Sequence, residues 1–226
     1  MAVVALVPAA GLGTRFHDAG PKALVRLAGR PFLVHVLERL AASGRVDRAV
    51  VAVTPDQARK FEKALRGFSA IPWALADGGV TRRESVAAAF AVAAPGDDDL
   101  VCVHDAARPL VDPEEVAAVV QAAEEHGAAV AACSMTDTVK RVQGGRVVAT
   151  VPRGDLVAAT TPQVIRAALF RKGLDRPEPG ETTDDVQLLE GLGVPIAVVL
   201  TSRWNVKITY PEDLAWAEAW LARSKR

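Results

Sequence analysis

Apolar runs of strand length recur along the chain at "AVVALV" (2–7), "RAVVAVT" (48–54), "DLVCVHD" (99–105), "GAAVAACS" (127–134) and "PIAVVLT" (195–201). Between them the spacing of apolar positions changes to a helical period, at 31–43, 55–65, 82–93, 112–126 and 211–223. Pro31 is expected at a first helical position, and Asp112 with Pro113 forms an N-cap and first-turn pair followed by acidic residues. Unbroken apolar strands that alternate with helices predict an α/β domain: a mostly parallel sheet, covered on both faces, with functional loops at the strands' carboxyl ends. One segment departs from this rhythm. Residues 136–157 lack a helical period and hold "TVKRV", Gly144-Gly145 and "RVVATV". That pattern predicts a β-hairpin with a two-residue turn, protruding as an arm whose edges need a cover such as a partner subunit.

Composition narrows the class. At 226 residues, half of them hydrophobic, the chain suits a single domain (1–226) with 136–157 as its arm. Lys+Arg and Asp+Glu are both 27, so the basic excess of a nucleic-acid binder is missing. No apolar run reaches the length of a membrane span, and no signal peptide stands at the start. Cys102 and Cys133 lie inside apolar runs without metal or redox spacing, which predicts buried free thiols and a cytoplasmic protein.

Chemistry gathers in the loops. "VPAAGLGTRFHDAGPKAL" (7–24) follows the first strand, and small residues there let backbone N–H groups approach an anion. It is not a dinucleotide fingerprint, because Phe16 stands where a third glycine is needed, and it lacks the P-loop pattern. Arg15 and Lys22 add charge to this loop. "DGGVTRRESV" opens a helix, "VHDAARP" ends a strand with Asp105 and Arg108, and "TSRWNVKIT" carries Asn205 and Lys207. Singly, these features have plain readings: Arg82, Arg83 and Glu84 as a solvated helix face, His104 as packing, Lys140 and Arg141 as edge charges. His17, His35 and His126 show no metal spacing. Together, the cations, one well-placed carboxylate and glycine loops, without a nucleophile beside a base, point to phosphoryl or nucleotidyl transfer.

The set "PAAGLGTRF…GPKAL", "GGVTRRESV", "HDAARP", "DTVKRV", "VPRGDLVAATTPQ", "TDDVQLLE" and "NVKITYPEDL" runs in order through nearly the whole chain. It resembles the 2-C-methyl-D-erythritol 4-phosphate cytidylyltransferases of the non-mevalonate isoprenoid pathway. The resemblance implies a Rossmann-like, three-layer α/β/α nucleotidyltransferase fold with the hairpin as a dimerisation arm. It implies that CTP and a polyol phosphate react with Mg²⁺ or another divalent cation. Arg15, Lys22, Arg153 and Lys207 would be catalytic. Pro8, Ala9, Ala10, Gly11, Gly13, Gly79, Ser85, Asp105 and Ala106 would hold CTP. Asp105, Arg108, Thr138, Arg153, Thr161, Thr183 and Lys207 would hold the acceptor, with Thr138 and Arg153 serving the partner's site in a homodimer. Asp105 would lie near the metal. The pattern departs at Ala23 and Val186. Ribitol-5-phosphate cytidylyltransferases share these motifs and form the nearest alternative; a nucleotide-sensing module would lack a cation or Asp105. No fused second enzyme is expected beyond residue 226.

Overall fold

The structure is a computed structural model that describes residues 1–11, 20–176 and 184–224. Its centre is a seven-stranded sheet. Strands β1 (Val3–Pro8), β4 (Arg48–Val53), β5 (Trp73–Asp77), β6 (Leu100–Val103), β7 (Ala128–Ser134), β10 (Val157–Arg166) and β11 (Ala197–Leu200) lie in the order β11-β7-β10-β6-β1-β4-β5. All neighbours are parallel except β10, which runs antiparallel to both β6 and β7. Between β1 and β4, β2 (Arg26–Leu27) and β3 (Arg30–Pro31) form a small ladder.

Strands β1 and β6 are apolar throughout because both of their faces are covered. On β1, Val3, Ala5 and Val7 face a core filled by α1 (Phe32–Ala42), α2 (Ala58–Ala64) and α4 (Pro113–His126). Its alternate residues Val4 and Leu6 face α3 (Arg82–Ala93) and α5 (Ala167–Leu174). Leu33, Leu37 and Leu40 recur at helical spacing on α1 and are fully buried. Each such side chain contributes about 1.5–3 kcal/mol by leaving water. Phe90 and Phe170 meet at 5.1 Å between ring centroids and join α3 to α5. A third cluster packs α6 (Pro211–Ser224), through Ala217 and Leu221, on Leu27, Phe32, Leu110 and Ile208.

The fold has the expected α/β class. Helix α3 spans the expected residues, and Asp112 caps α4 by accepting the Glu114 N–H at 2.9 Å. The hairpin is present as β8 (Val139–Gln143) and β9 (Arg146–Val151). Gly144 and Gly145 have φ of 54° and 73°, the positive pair that a tight turn of this kind requires. The pattern does not announce β5, β10 or α5, and three further details differ. Pro31 is not a first helical residue: its ψ of 144° makes it the cap before Phe32. The helix expected at 55–65 is divided into a 3-10 turn, Pro55–Gln57, and the shorter α2. Val157, placed in the arm, already begins β10.

Candidate active site

A cavity of about 270 Å³ opens where the strand order turns, outside the carboxyl ends of β1 and β6. This is where open α/β sheets bind ligands. Three segments converge on it. After β1 come Ala9, Ala10 and Gly11, with Ala9 N–H donating to the Ala52 carbonyl at 2.8 Å. The chain returns at Lys22, whose N–H donates to the Gly11 carbonyl at 3.4 Å, so Lys22 and Ala23 share the wall with Gly11.

The second segment is the start of α3. Thr81 caps the helix, its hydroxyl accepting the Glu84 N–H at 3.1 Å while the Glu84 carboxylate accepts the Thr81 N–H at 2.9 Å. This reciprocal box explains Gly79, because a Cβ there would stand 2.3 Å from Glu84 Cβ. Ser85 follows, its hydroxyl donating to the Thr81 carbonyl at 3.0 Å. The helix therefore presents the positive end of its dipole to the cavity.

The third segment follows β6 and carries Asp105. Its backbone N–H donates to Thr161 Oγ1 at 3.0 Å. Its carboxylate meets Arg82 Nη2 at 3.2 Å, Lys207 Nζ at 2.9 Å and Arg108 Nε at 3.7 Å. Burial alone would push this carboxyl up; Arg82, Lys207 and Arg108 outweigh it and hold Asp105 well below the usual carboxylate range. Arg82 also holds Asp185 Oδ2 at 2.7 Å through Nη1. Burial opposes the Arg82 charge, but the two carboxylates more than offset that and raise its pKa. Asp185 itself is pushed up by burial, against the pull of Arg82.

Behind Asp105 lies a buried polar chain. The Thr161 hydroxyl accepts from Asp105, leaving its hydrogen for His104 Nδ1 at 3.1 Å; His104 then donates from Nε2 to the Arg108 carbonyl at 3.2 Å. Burial lowers the His104 pKa to about 4, so the ring is neutral. The Asn205 side-chain amide donates to the Thr161 carbonyl at 2.7 Å, and the Asn205 backbone carbonyl accepts from Arg108 at 2.7 Å. Ile208 N–H donates to the Ala107 carbonyl at 2.9 Å, which holds Lys207 beside Asp105.

Of the residues expected from the sequence, Pro8, Ala9, Ala10, Gly11, Lys22, Gly79, Ser85, Asp105, Ala106 and Lys207 line the cavity. Thr161 and Arg108 do not; both stand behind Asp105 and orient it. Thr138 and Arg153 lie exposed at the base of the arm, with Arg153 hydrogen-bonded to the Thr136 carbonyl, and line no part of this cavity. Gly13, Arg15 and Thr183 lie outside the described residues. Arg82 was expected on a solvated face and is instead the bridge between two buried carboxylates, a correction that follows from Asp185 being brought across to it. Asp185 and Gln163, whose side-chain carbonyl accepts the Asp185 and Val186 N–H groups at 2.7 and 3.0 Å, are the other residues that sequence reasoning missed. The signal was the acidic pair in "TDDVQ". Ala23 lines the cavity, whereas Val186 is core.

Among the described residues no group of three or more His, Cys, Asp or Glu side chains could hold a metal by itself. Among the described residues the cavity wall offers a single carboxylate, Asp105, a donor set suited to a cation that arrives with substrate phosphates.

Comparison with known proteins gives a consistent picture. The family model of IspD, 2-C-methyl-D-erythritol 4-phosphate cytidylyltransferase, matches residues 3–223. The 2-C-methyl-D-erythritol 4-phosphate cytidylyltransferase of Chromobacterium violaceum is 39% identical over 97% of this chain and 98% of its own. The crystal structure of the Thermus thermophilus enzyme of the same name superposes with a TM-score of 0.78 at 36% identity, covering 99% of this chain and 100% of that one. The 4-diphosphocytidyl-2C-methyl-D-erythritol synthase of Anaerococcus prevotii gives a TM-score of 0.84 at 25% identity, with 98% of each chain covered.

Proposed function

The chain belongs to the 2-C-methyl-D-erythritol 4-phosphate cytidylyltransferase family, and from that premise we propose how its residues carry the transfer from CTP. A phosphate oxygen of 2-C-methyl-D-erythritol 4-phosphate attacks the α-phosphorus of CTP. One P–O bond forms to the acceptor, the bond between the α-phosphorus and the bridging oxygen breaks, and pyrophosphate leaves with the electron pair. The product is 4-diphosphocytidyl-2-C-methyl-D-erythritol. The observation that carries this reading is the convergence of Lys22, Lys207, Asp105 and the α3 N-terminus on one cavity walled by Ala9, Ala10 and Gly11. The acceptor brings its own nucleophile, so the protein's task is position and charge.

In this reading the small-residue loop and the start of α3 take the triphosphate, and Lys22 with Arg15 stabilises charge on the transferring phosphorus. Lys207 rests on Asp105 and turns to the acceptor phosphate when it arrives. Asp105 would hold a divalent cation, which when bound supplies neutralising charge to the triphosphate. Backbone groups around Gly79 and Ser85 distinguish the amino group of cytosine from the carbonyl of uracil.

The arm supports a homodimer. Val142, Val147 and Val148 are exposed on it, and a lone hairpin is marginal in water. A two-fold partner would cover it and bring Thr138 and Arg153 to the neighbouring cavity. A cytoplasmic setting is supported by Cys102, a buried free thiol. No helix of the described residues is long and apolar enough to cross a membrane.

The test is pyrophosphate release with CTP. Release is expected with 2-C-methyl-D-erythritol 4-phosphate, far less with ribitol 5-phosphate or with UTP, and none in excess chelator. Release driven as well by ribitol 5-phosphate would move the acceptor assignment, and release in chelator would remove the cation.

A further inference from the structure

A second and larger cavity, about 550 Å³, lies on the far side of the Lys22–Leu24 turn, between α1, α2 and the β2–β3 ladder. Its volume is in the range of small-molecule sites. Five cations line it: Arg26, Arg30, Lys60, Lys63 and Arg66. Among the described residues the one carboxylate on its wall, Glu38, is paired with Arg30. Arg26 donates to the Gly29 carbonyl at 2.5 Å, and Lys60 lies within the field of Asp56, which is outside the wall. Lys63 and Arg66 have no ion pair among the described residues. In a chain with no net charge, this is a concentration of one sign in one concave place. Lys60 and Lys63 stand three residues apart on α2, where like charges repel unless an anion lies between them.

The floor is different in kind. Leu24, Val34 and Phe68 give it an apolar surface under the cationic rim. An inorganic ion would leave that surface wet, and a nucleic acid would need a basic face rather than a cavity. The turn that ends in Leu24 is shared. Lys22 and Ala23 line the first cavity and Leu24 lines the second, so three consecutive residues form the partition between them.

We propose that this second cavity binds an amphiphilic organic phosphate or diphosphate, head at Lys63 and Arg66, apolar body over Leu24, Val34 and Phe68, and that occupancy is felt at the CTP cavity through the Lys22–Leu24 turn. The binding claim stands without the assigned reaction; the coupling claim rests on Lys22 facing the triphosphate. Arginine and lysine suit phosphate oxygens through charge-assisted hydrogen bonds. A ligand that packs on Leu24 alters the partition on which Lys22 stands, and linkage requires that CTP alter the ligand's affinity equally.

The experiment is calorimetric titration of the full chain with n-octyl diphosphate and with inorganic pyrophosphate, repeated on a Lys63→Ala/Arg66→Ala double variant. Both side chains are exposed and neither lies in the catalytic cavity. One molecule of n-octyl diphosphate should bind per chain, at least about tenfold tighter than pyrophosphate, and the double variant should weaken it by at least about tenfold. Saturation with it should change the CTP dissociation constant by about fivefold or more in the wild type and not in the variant. Equal binding in wild type and variant would place the probe in the first cavity and overturn the site. Equal affinity for the two probes would remove the apolar body. Binding of an oligonucleotide that the double variant abolishes, with no binding of n-octyl diphosphate, would reassign the patch to a polyanion. An unchanged CTP constant would overturn the coupling, whatever the enzyme's turnover.

Discussion

Lys207 Nζ stands 2.9 Å from Asp105 Oδ2, a half-exposed ammonium against a buried carboxylate. Asp105 keeps Arg82 and Arg108 if Lys207 is removed, so Lys207→Ala should leave the fold intact and reduce turnover by roughly 10²–10³, the usual cost of one charge contact in the transition state. Asp105→Asn should differ in kind. It leaves three cations facing one another without their shared carboxylate, and unfolding in urea should show a loss of about 3 kcal/mol or more in addition to lost turnover. Equal stability of the two variants would contradict this division of roles.

His104 makes stability depend on pH. Its folded pKa is about 4, lowered by burial, against roughly 6.5 in the unfolded chain. Between those values the unfolded chain binds more protons, so stability falls as pH drops from 6.5 towards 4. At pH 5 the loss from this ring is about 2 kcal/mol. His35 is lowered by burial too and adds in the same direction. Asp105 keeps its charge through that window and contributes acid loss only further down. The difference in urea stability between pH 7 and pH 5 should shrink in His104→Gln. The same difference in wild type and variant would show that the ring does not titrate this way.

Gly79→Ala places a methyl group where Glu84 closes the cap of α3. The box must open, at a cost of roughly 1–2 kcal/mol in stability. Because the same turn lines the cavity, the KM for CTP should rise in parallel. A fall in melting temperature with unchanged KM would separate the cap from the site.

Much of this architecture is legible in the sequence, for identifiable reasons. Helix α3 and the cap of α4 follow from local signals: a helical period, and Asp112 before Pro113. The hairpin turn is legible because two glycines supply both positive φ values. Strand β10 is hidden by Pro162 and a threonine pair in its middle, accommodated by a register shift between Ala159 and Gln163. Strand β5 is hidden because "WALAD" is short, holds no β-branched residue and is only partly buried at the sheet edge. Within the site, the motif residues are recognisable individually, but the roles of Thr161 and Arg108 as supports behind Asp105 depend on contacts across the fold. Arg82 is the clearest case: nothing local reveals that Asp185 neutralises it.

The arm makes a separate expectation about assembly. Mixing an Arg153→Ala chain with a Lys22→Ala chain, each nearly inactive alone, should restore activity towards about half of wild type per heterodimer if sites are shared across the two-fold. Heterodimers that form without recovering activity would place Arg153 in its own subunit's chemistry.

Isotopic labelling shows whether the acceptor's phosphate attacks the α-phosphorus of CTP. With 2-C-methyl-D-erythritol 4-phosphate carrying ¹⁸O in its phosphate, ³¹P NMR of the products should show all of the label retained in 4-diphosphocytidyl-2-C-methyl-D-erythritol, including the new bridge, and none in pyrophosphate. Label in pyrophosphate, or a diphosphate bridge whose oxygen comes from CTP, would rule out attack by the acceptor's phosphate.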